Sequence, residues 1–270
     1  MSNILFMLKP QIQANLKKRR GRKPKPKPII VPRRLEIDYA KSLVKVSKYC
    51  QEQAKEIVLP ESSKYIGDSW LDALMTGFRE KMTRYIMDEA FNIANQIVTA
   101  VRKDTDEQLG KHALSVLGVD LTPFYRGTDI QQQIDNQIAA NVALIKSIPS
   151  QYADKVEAAV LTSLQTGSTN AELAEKIKHI GSVTDSRAIL IARDQIGKIQ
   201  AGINKQRQTA LNVGTYDYWT SLDDKVRPQC KANHGKTCSW DDPPPGGHPG
   251  EKIQCRCTAV PNYDDILVGI

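Results

Sequence analysis

DDKVRPQCKANHGKTCSWDDPPPGGHPGEKIQCRCTAVP, residues 223–261, gathers four of the chain's five cysteines and two of its four histidines. A stretch so rich in proline and glycine cannot be one helix. Cysteine and histidine recurring at short intervals within it mark a loop structure held by a metal or by cross-links. Six donors, Cys230, His234, Cys238, His248, Cys255 and Cys257, fall within 28 residues, and a closed structural zinc site needs four.

Cys255-Arg256-Cys257 leads into Thr258-Ala259-Val260, which reads as a strand. Residues i and i+2 of a strand share a side, so both sulfurs can face one ion while Arg256 points away, toward Asp223 or Asp224. The run Pro243-Pro244-Pro245-Gly246-Gly247 then returns His248 to the start of that strand. The preferred zinc set is Cys230, His248, Cys255 and Cys257, with His234 and Cys238 in reserve. Disulfides or free thiols are the competing reading, because spacing alone fixes neither. A Cys–His nucleophile lacks an orienting third residue, and zinc hydrolysis lacks an HExxH-like helix.

Working back toward the N-terminus, residues 216–222 alternate Tyr216, Tyr218 and Thr220 with Asp217, Trp219 and Ser221, the pattern of a strand. Before it, Asp185 caps a helix over residues 186–211 that is apolar on one side and polar over most of the rest, so it bridges solvent or presses on a polar partner. Thr169 and Glu172 have the spacing of a capping box, opening a short helix that stops near Gly181. Apolar residues at three- and four-residue steps predict further helices over 35–57, ended by Pro60, and over 68–103. Two more are predicted over 130–148, closed by Pro149, and over 152–166, stopped at Gly167. Cys50 sits on the apolar face of the first of these and reads as a small buried hydrophobe.

Hydrophobic residues make up 40% and charged residues 25% of the 270, a soluble composition, and the 6% aromatic content favours helices packed through aliphatic side chains. The formal charge of +8 is local. Residues 17–34 hold ten Lys or Arg and no acid, leaving 28 basic against 30 acidic residues elsewhere. Lys17, Lys18, Arg19, Arg20, Arg22, Lys23, Lys25 and Lys27 are candidates to meet nucleic-acid phosphates or an acidic partner. The Lys-Pro alternation predicts an extended, polyproline-like arm. No apolar run is long enough for a membrane span, and no signal peptide is recognisable.

The fold class expected is α+β, predominantly α-helical, with a small C-terminal α/β domain carrying the Cys/His cluster. The expected divisions are a basic arm at 1–34, a helical domain at 35–180 and a C-terminal domain at 181–270.

Ile191-Ala192-Arg193-Asp194-Gln195, Gln206-Arg207, Tyr218-Trp219-Thr220-Ser221 and Asp223 to Pro228 follow one another in a recognisable order. After them come His234-Gly235-Lys236, Trp240-Asp241-Asp242-Pro243-Pro244, His248-Pro249-Gly250 and Cys255-Arg256-Cys257-Thr258-Ala259-Val260-Pro261. Together these motifs resemble the Mu F-like phage head morphogenesis family. Cys230 stands where relatives commonly carry histidine, His234 where they more often carry an acidic or polar residue, and Cys238 where an aromatic is usual. The resemblance implies a low-copy minor head protein of a tailed bacteriophage, without catalysis. Such a protein joins the portal, scaffold or major capsid protein in the host cytoplasm, then lies in the virion head interior or at the portal vertex, with a part in DNA packaging or ejection. The chain ends nine residues after Pro261, so no fused effector domain is expected. A zinc-containing nucleic-acid-binding module using the basic arm is the alternative.

Overall fold

The structure, a computed structural model, describes residues 4–18, 28–62 and 68–264. In chain order the helices are α1 (Ile4–Lys18), α2 (Arg33–Gln53), α3 (Leu59–Ser62), α4 (Asp68–Leu117), α5 (Thr122–Gly127), α6 (Gln131–Thr166), α7 (Asn170–Ala210) and α8 (Pro228–Asn233). A π-helical turn, Ala54–Val58, joins α2 to α3. Strands β1 (Thr215–Trp219), β2 (Thr237–Ser239) and β3 (Thr258–Pro261) form one antiparallel sheet in the order β2-β1-β3. The fold is therefore predominantly α-helical, with a small C-terminal sheet. Among the described residues no helix is long and apolar enough to cross a membrane.

Two compact units emerge, and neither is continuous in sequence. One comprises residues 34–97 and 137–193; the other comprises 1–33, 98–136 and 194–270. The first boundary, between Arg33 and Arg34, lies one residue from the division after residue 34 that composition suggests, whereas the others fall inside α4, α6 and α7 and not after residue 180.

The all-helical unit owes its long helices to packing that outweighs local breakers. Pro149 lies inside α6 and does not end it. Ile145, Ile148, Tyr152, Ala153 and Val156 are all fully buried, so one apolar stripe runs through the proline and compensates for its missing donor. Gly181 is likewise interior to α7. A Cβ there would come 2.6 Å from the Gln51 side chain, so glycine provides close approach rather than a stop. Asp185 caps nothing; it accepts from Gln51 Nε2 at 2.9 Å and pairs with Lys48 Nζ at 2.7 Å. The capping box at the start of α7 does form, with the Thr169 amide on Glu172 Oε2 at 2.8 Å and the Glu172 amide on Thr169 Oγ1 at 3.3 Å. Cys50 packs in this unit's core, and burial pushes its thiol up to about 12, the behaviour of an inert apolar side chain.

The mixed unit holds α1, the end of α4, α5, the end of α7 and the sheet. Leu5 and Ile12 bury one face of α1 against Leu109, Ala113, Leu117 and Tyr125. Residues 4–18 are thus an amphipathic helix, where composition alone suggests only an arm. The Lys-Pro run lies outside the described residues. Just after it, Ile29 is fully buried, and the next residue is held on both its polar groups: the Ile30 amide donates to Gln108 Oε1 (2.8 Å), while Gln108 Nε2 (2.9 Å) and Gln200 Nε2 (2.7 Å) donate to its carbonyl. Thr258 Oγ1 donates to the Ile29 carbonyl at 2.6 Å.

Candidate metal centre

The centre is built on the C-terminal half of α7. Asp194, Gly197, Ala201, Asn204 and Gln208 recur at three- and four-residue steps and so form one ridge. Each meets the segment that follows the helix. Asp194 Oδ1 accepts the Gln254 amide at 2.6 Å. Asn204 Nδ2 and Gln208 Nε2 both donate to the Ala259 carbonyl, at 2.7 and 3.2 Å, and Gln208 Oε1 accepts Trp240 Nε1 at 3.2 Å. Where the backbones approach most closely the residues are small: a Cβ on Gly197 would lie 3.0 Å from the Cys255 carbonyl, and one on Gly250 2.3 Å from Ala201 Cβ. The polar surface read from the sequence as a face for solvent or a partner is therefore largely buried against the chain itself, Gln200, Asn204, Arg207 and Gln208 being at most 2% exposed.

On this ridge the sheet and its loops bring three sulfurs together. The Sγ atoms of Cys230, Cys255 and Cys257 all lie within 4.8 Å of one another, and all three residues are buried. Cys230 arrives on α8, whose start is favoured by Pro228 in its first turn. Cys255 and Cys257 stand in the loop just before β3 rather than on a strand, and their sulfurs still converge. The loop is fixed from several sides. Arg227 donates to the Ile253 carbonyl at 2.7 Å, and Gln254 takes a left-handed φ of 55°. Arg256 points away from the sulfurs and pairs with Asp223 at 2.5 Å, as the CRC spacing predicts.

The other donors are occupied elsewhere. His248 is buried with Nδ1 2.7 Å from the Tyr216 hydroxyl and its ring 5.2 Å from that of Trp240. Burial, with Lys205 nearby, holds its imidazole below the usual value. His234 Nδ1 accepts the Thr220 amide at 3.1 Å, and its ring lies 4.8 Å from Trp219. Cys238, half-buried on β2, donates its thiol to the Lys236 carbonyl at 3.7 Å. Of the preferred four donors the structure thus unites three, Cys230, Cys255 and Cys257, without His248, His234 or Cys238. All five cysteines are free thiols.

Electrostatics within the cluster separate its members. The hydrogen bond from Cys257 holds the Cys255 thiol below its usual value against the opposing effect of burial, helped by the Gly250 amide and Arg227. Cys257, which shares its proton with Cys255 and is buried, is correspondingly raised. The Gly250 amide lies 3.4 Å from Cys255 Sγ, and the Tyr218 hydroxyl 3.4 Å from Cys230 Sγ. Sulfur that receives donors is suited to the thiolate form, the form that binds metals. Three buried sulfurs with such donors fit a soft divalent cation such as zinc. Bound there, it would cross-link α8 to the loop that enters β3.

Of the basic candidates, Lys17 and Lys18 end α1. Arg19, Arg20, Arg22, Lys23, Lys25 and Lys27 lie outside the described residues. Sequence reasoning placed Tyr218 on a strand and in a family motif but gave it no part in the cluster. It also missed the interlock of His112 Nε2 with the Pro261 carbonyl at 3.2 Å, since a lone histidine carries no spacing signal.

Residues 154–260 match the family described as Phage Mu protein F like protein. A protein of Haemophilus influenzae, described as uncharacterized, is 30% identical over 259 residues, which is 93% of this chain and 58% of that protein. The chain thus spans little more than half of that relative's length. No solved structure matches it.

Proposed function

We propose, from the match of residues 154–260 to the phage Mu protein F family, that the protein is a bacteriophage minor head protein, a low-copy component of head assembly. That match carries the reading. It takes in α7 with its ridge and the trithiol cluster. On this reading the protein acts without catalysis. It binds portal, scaffold or major capsid protein in the host cytoplasm, and ends in the head interior or at the portal vertex with a part in DNA packaging or ejection. The cations from Lys17 to Lys27 would meet packaged DNA or an acidic partner surface, each phosphate contact releasing counterions. A zinc ion on Cys230, Cys255 and Cys257 would be structural.

The test is to purify heads from induced cells and quantify this protein against the major capsid protein by mass spectrometry. A low, reproducible copy number in DNA-free procapsids is expected. Absence from every particle, with the protein free in the lysate or on DNA, would overturn the reading.

A further inference from the structure

Tyr216 and Tyr218 stand two residues apart on β1, both buried on the same side of the strand. Their hydroxyls have different destinations. That of Tyr216 meets His248 Nδ1 at 2.7 Å, and that of Tyr218 donates to Cys230 Sγ at 3.4 Å.

Most buried hydroxyls find an acceptor, and the sulfur of a neutral thiol is a weak one. A thiolate is a far better acceptor. Tyr218 is 2% exposed, and its hydroxyl is nevertheless given to a sulfur. This geometry suits a cluster whose sulfurs are anionic, the condition in which they hold a cation. The group that converges with those sulfurs contains no carboxylate or imidazole among the described residues.

We infer that Tyr218 is a positioning residue of the metal centre: its hydroxyl donates to the Cys230 thiolate and fixes it as a ligand of a thiophilic divalent cation. This rests on the metal reading proposed above. Tyr218 acts through Cys230 and does not itself bind the ion. A hydrogen bond onto a thiolate lowers the energy of its lone pairs, so removing it shifts sulfur-to-metal charge transfer to lower energy.

The experiment titrates the full-length reduced chain with cobalt(II), then displaces it with zinc(II). It compares the natural protein with Tyr218→Phe, which keeps the ring and loses only the hydroxyl, and with Tyr216→Phe as control. The natural protein is expected to show intense sulfur-to-cobalt charge transfer. Tyr218→Phe should bind about 10-fold more weakly, the usual cost of losing a partner that orients a ligand, with the band moved to lower energy. Tyr216→Phe should leave the band in place. If Tyr218→Phe matches the natural protein in both affinity and band, the inference is overturned and the metal reading stands. If the natural protein shows no thiolate-to-cobalt band, both fall. Should circular dichroism show that Tyr218→Phe does not fold, 3-fluorotyrosine placed at 218 is used instead. This stronger donor of nearly the same shape should move the band to higher energy, and an unmoved band overturns the inference.

Discussion

Arg207 on α7 closes on Asp106 of α4 through two hydrogen bonds, Nε to Oδ1 at 2.9 Å and a terminal nitrogen to Oδ2 at 3.1 Å. Both side chains are nearly sealed from water, at 3% and 4% exposure. The remaining guanidinium nitrogen donates to the Thr128 carbonyl at 2.8 Å and to its hydroxyl at 2.6 Å, so every nitrogen of the buried cation has a partner. Removing one member of such a pair leaves the other charge uncompensated. Arg207→Ala should therefore destabilise the protein by about 3–5 kcal/mol. By contrast Arg79→Ala, which breaks pairs to Asp154 and Glu157 from a side chain 36% exposed, should cost no more than about 1 kcal/mol. Urea denaturation of the two variants checks the contrast, and equal losses would contradict it.

Gly250 has a φ of 88° and lies against Ala201, which imposes two separable demands. Gly250→Ala should cost about 1–3 kcal/mol through overpacking. The left-handed backbone adds about 1–2 kcal/mol more. Pairing it with Ala201→Gly should recover the first part and leave the second. Melting temperatures of the two single variants and the double variant resolve this, and full recovery in the double variant would show that the backbone conformation costs nothing.

Gln108 reads both polar groups of Ile30, much as a neighbouring strand would. In Gln108→Leu the Ile30 amide loses its acceptor. Its hydrogen exchange, followed by mass spectrometry on the peptide containing it, should speed up at least several-fold. Amides in α7 should be unaffected, and an unchanged Ile30 amide would mean that buried Ile29 and the Gln200 and Thr258 hydrogen bonds hold the segment without Gln108.

The depressed imidazole of His248 makes stability depend on pH in a stated direction. Its folded value lies below the ordinary 6.5, so the unfolded chain takes up the proton first as pH falls. The contribution of neutral His248 is whole above about pH 6.5 and is lost progressively below it. Denaturation midpoints of the metal-free protein, with chelator present, should fall between pH 7 and pH 5.5 by more than those of His248→Gln. The same variant should retain cobalt binding, since His248 stands apart from the three sulfurs. Loss of binding in a folded His248→Gln protein would return that residue to the ligand set.

Much of the helical pattern was legible because apolar residues at three- and four-residue steps report burial directly. The periodicity over 35–57 gives α2 and the π turn, and Thr169 with Glu172 gives the start of α7. The ends were less legible. Pro149 and Gly181 look like stops when judged by local propensity, and they are overruled by Tyr152 and its buried neighbours on one helix and by Gln51 packed against the other. Strand β2, three residues long, carries too little alternation to be seen. At the site, the two-residue spacing of Cys255 and Cys257 correctly brought their sulfurs together and sent Arg256 to Asp223. It could not rank Cys230 above Cys238 or His248, because where α8 carries Cys230, and the hydroxyls that meet Cys230 and His248, leave no mark on spacing.

The mixed unit draws its parts from residues 1–33, 98–136 and 194–270, and its first segment is latched by Gln108, Gln200 and Thr258 across 78, 170 and 229 residues of chain. During synthesis the helical unit has all of its residues once position 193 has left the ribosome, whereas α1 and the segment around Ile29 must wait for Thr258, well over a hundred residues after α1 and beyond the whole helical unit. Until then the apolar face of α1 has only part of its partner surface. The segment around Ile29 is thus made long before it is fully fixed, so a chain truncated before β3 would emerge with its helical unit complete and that latch lacking Thr258.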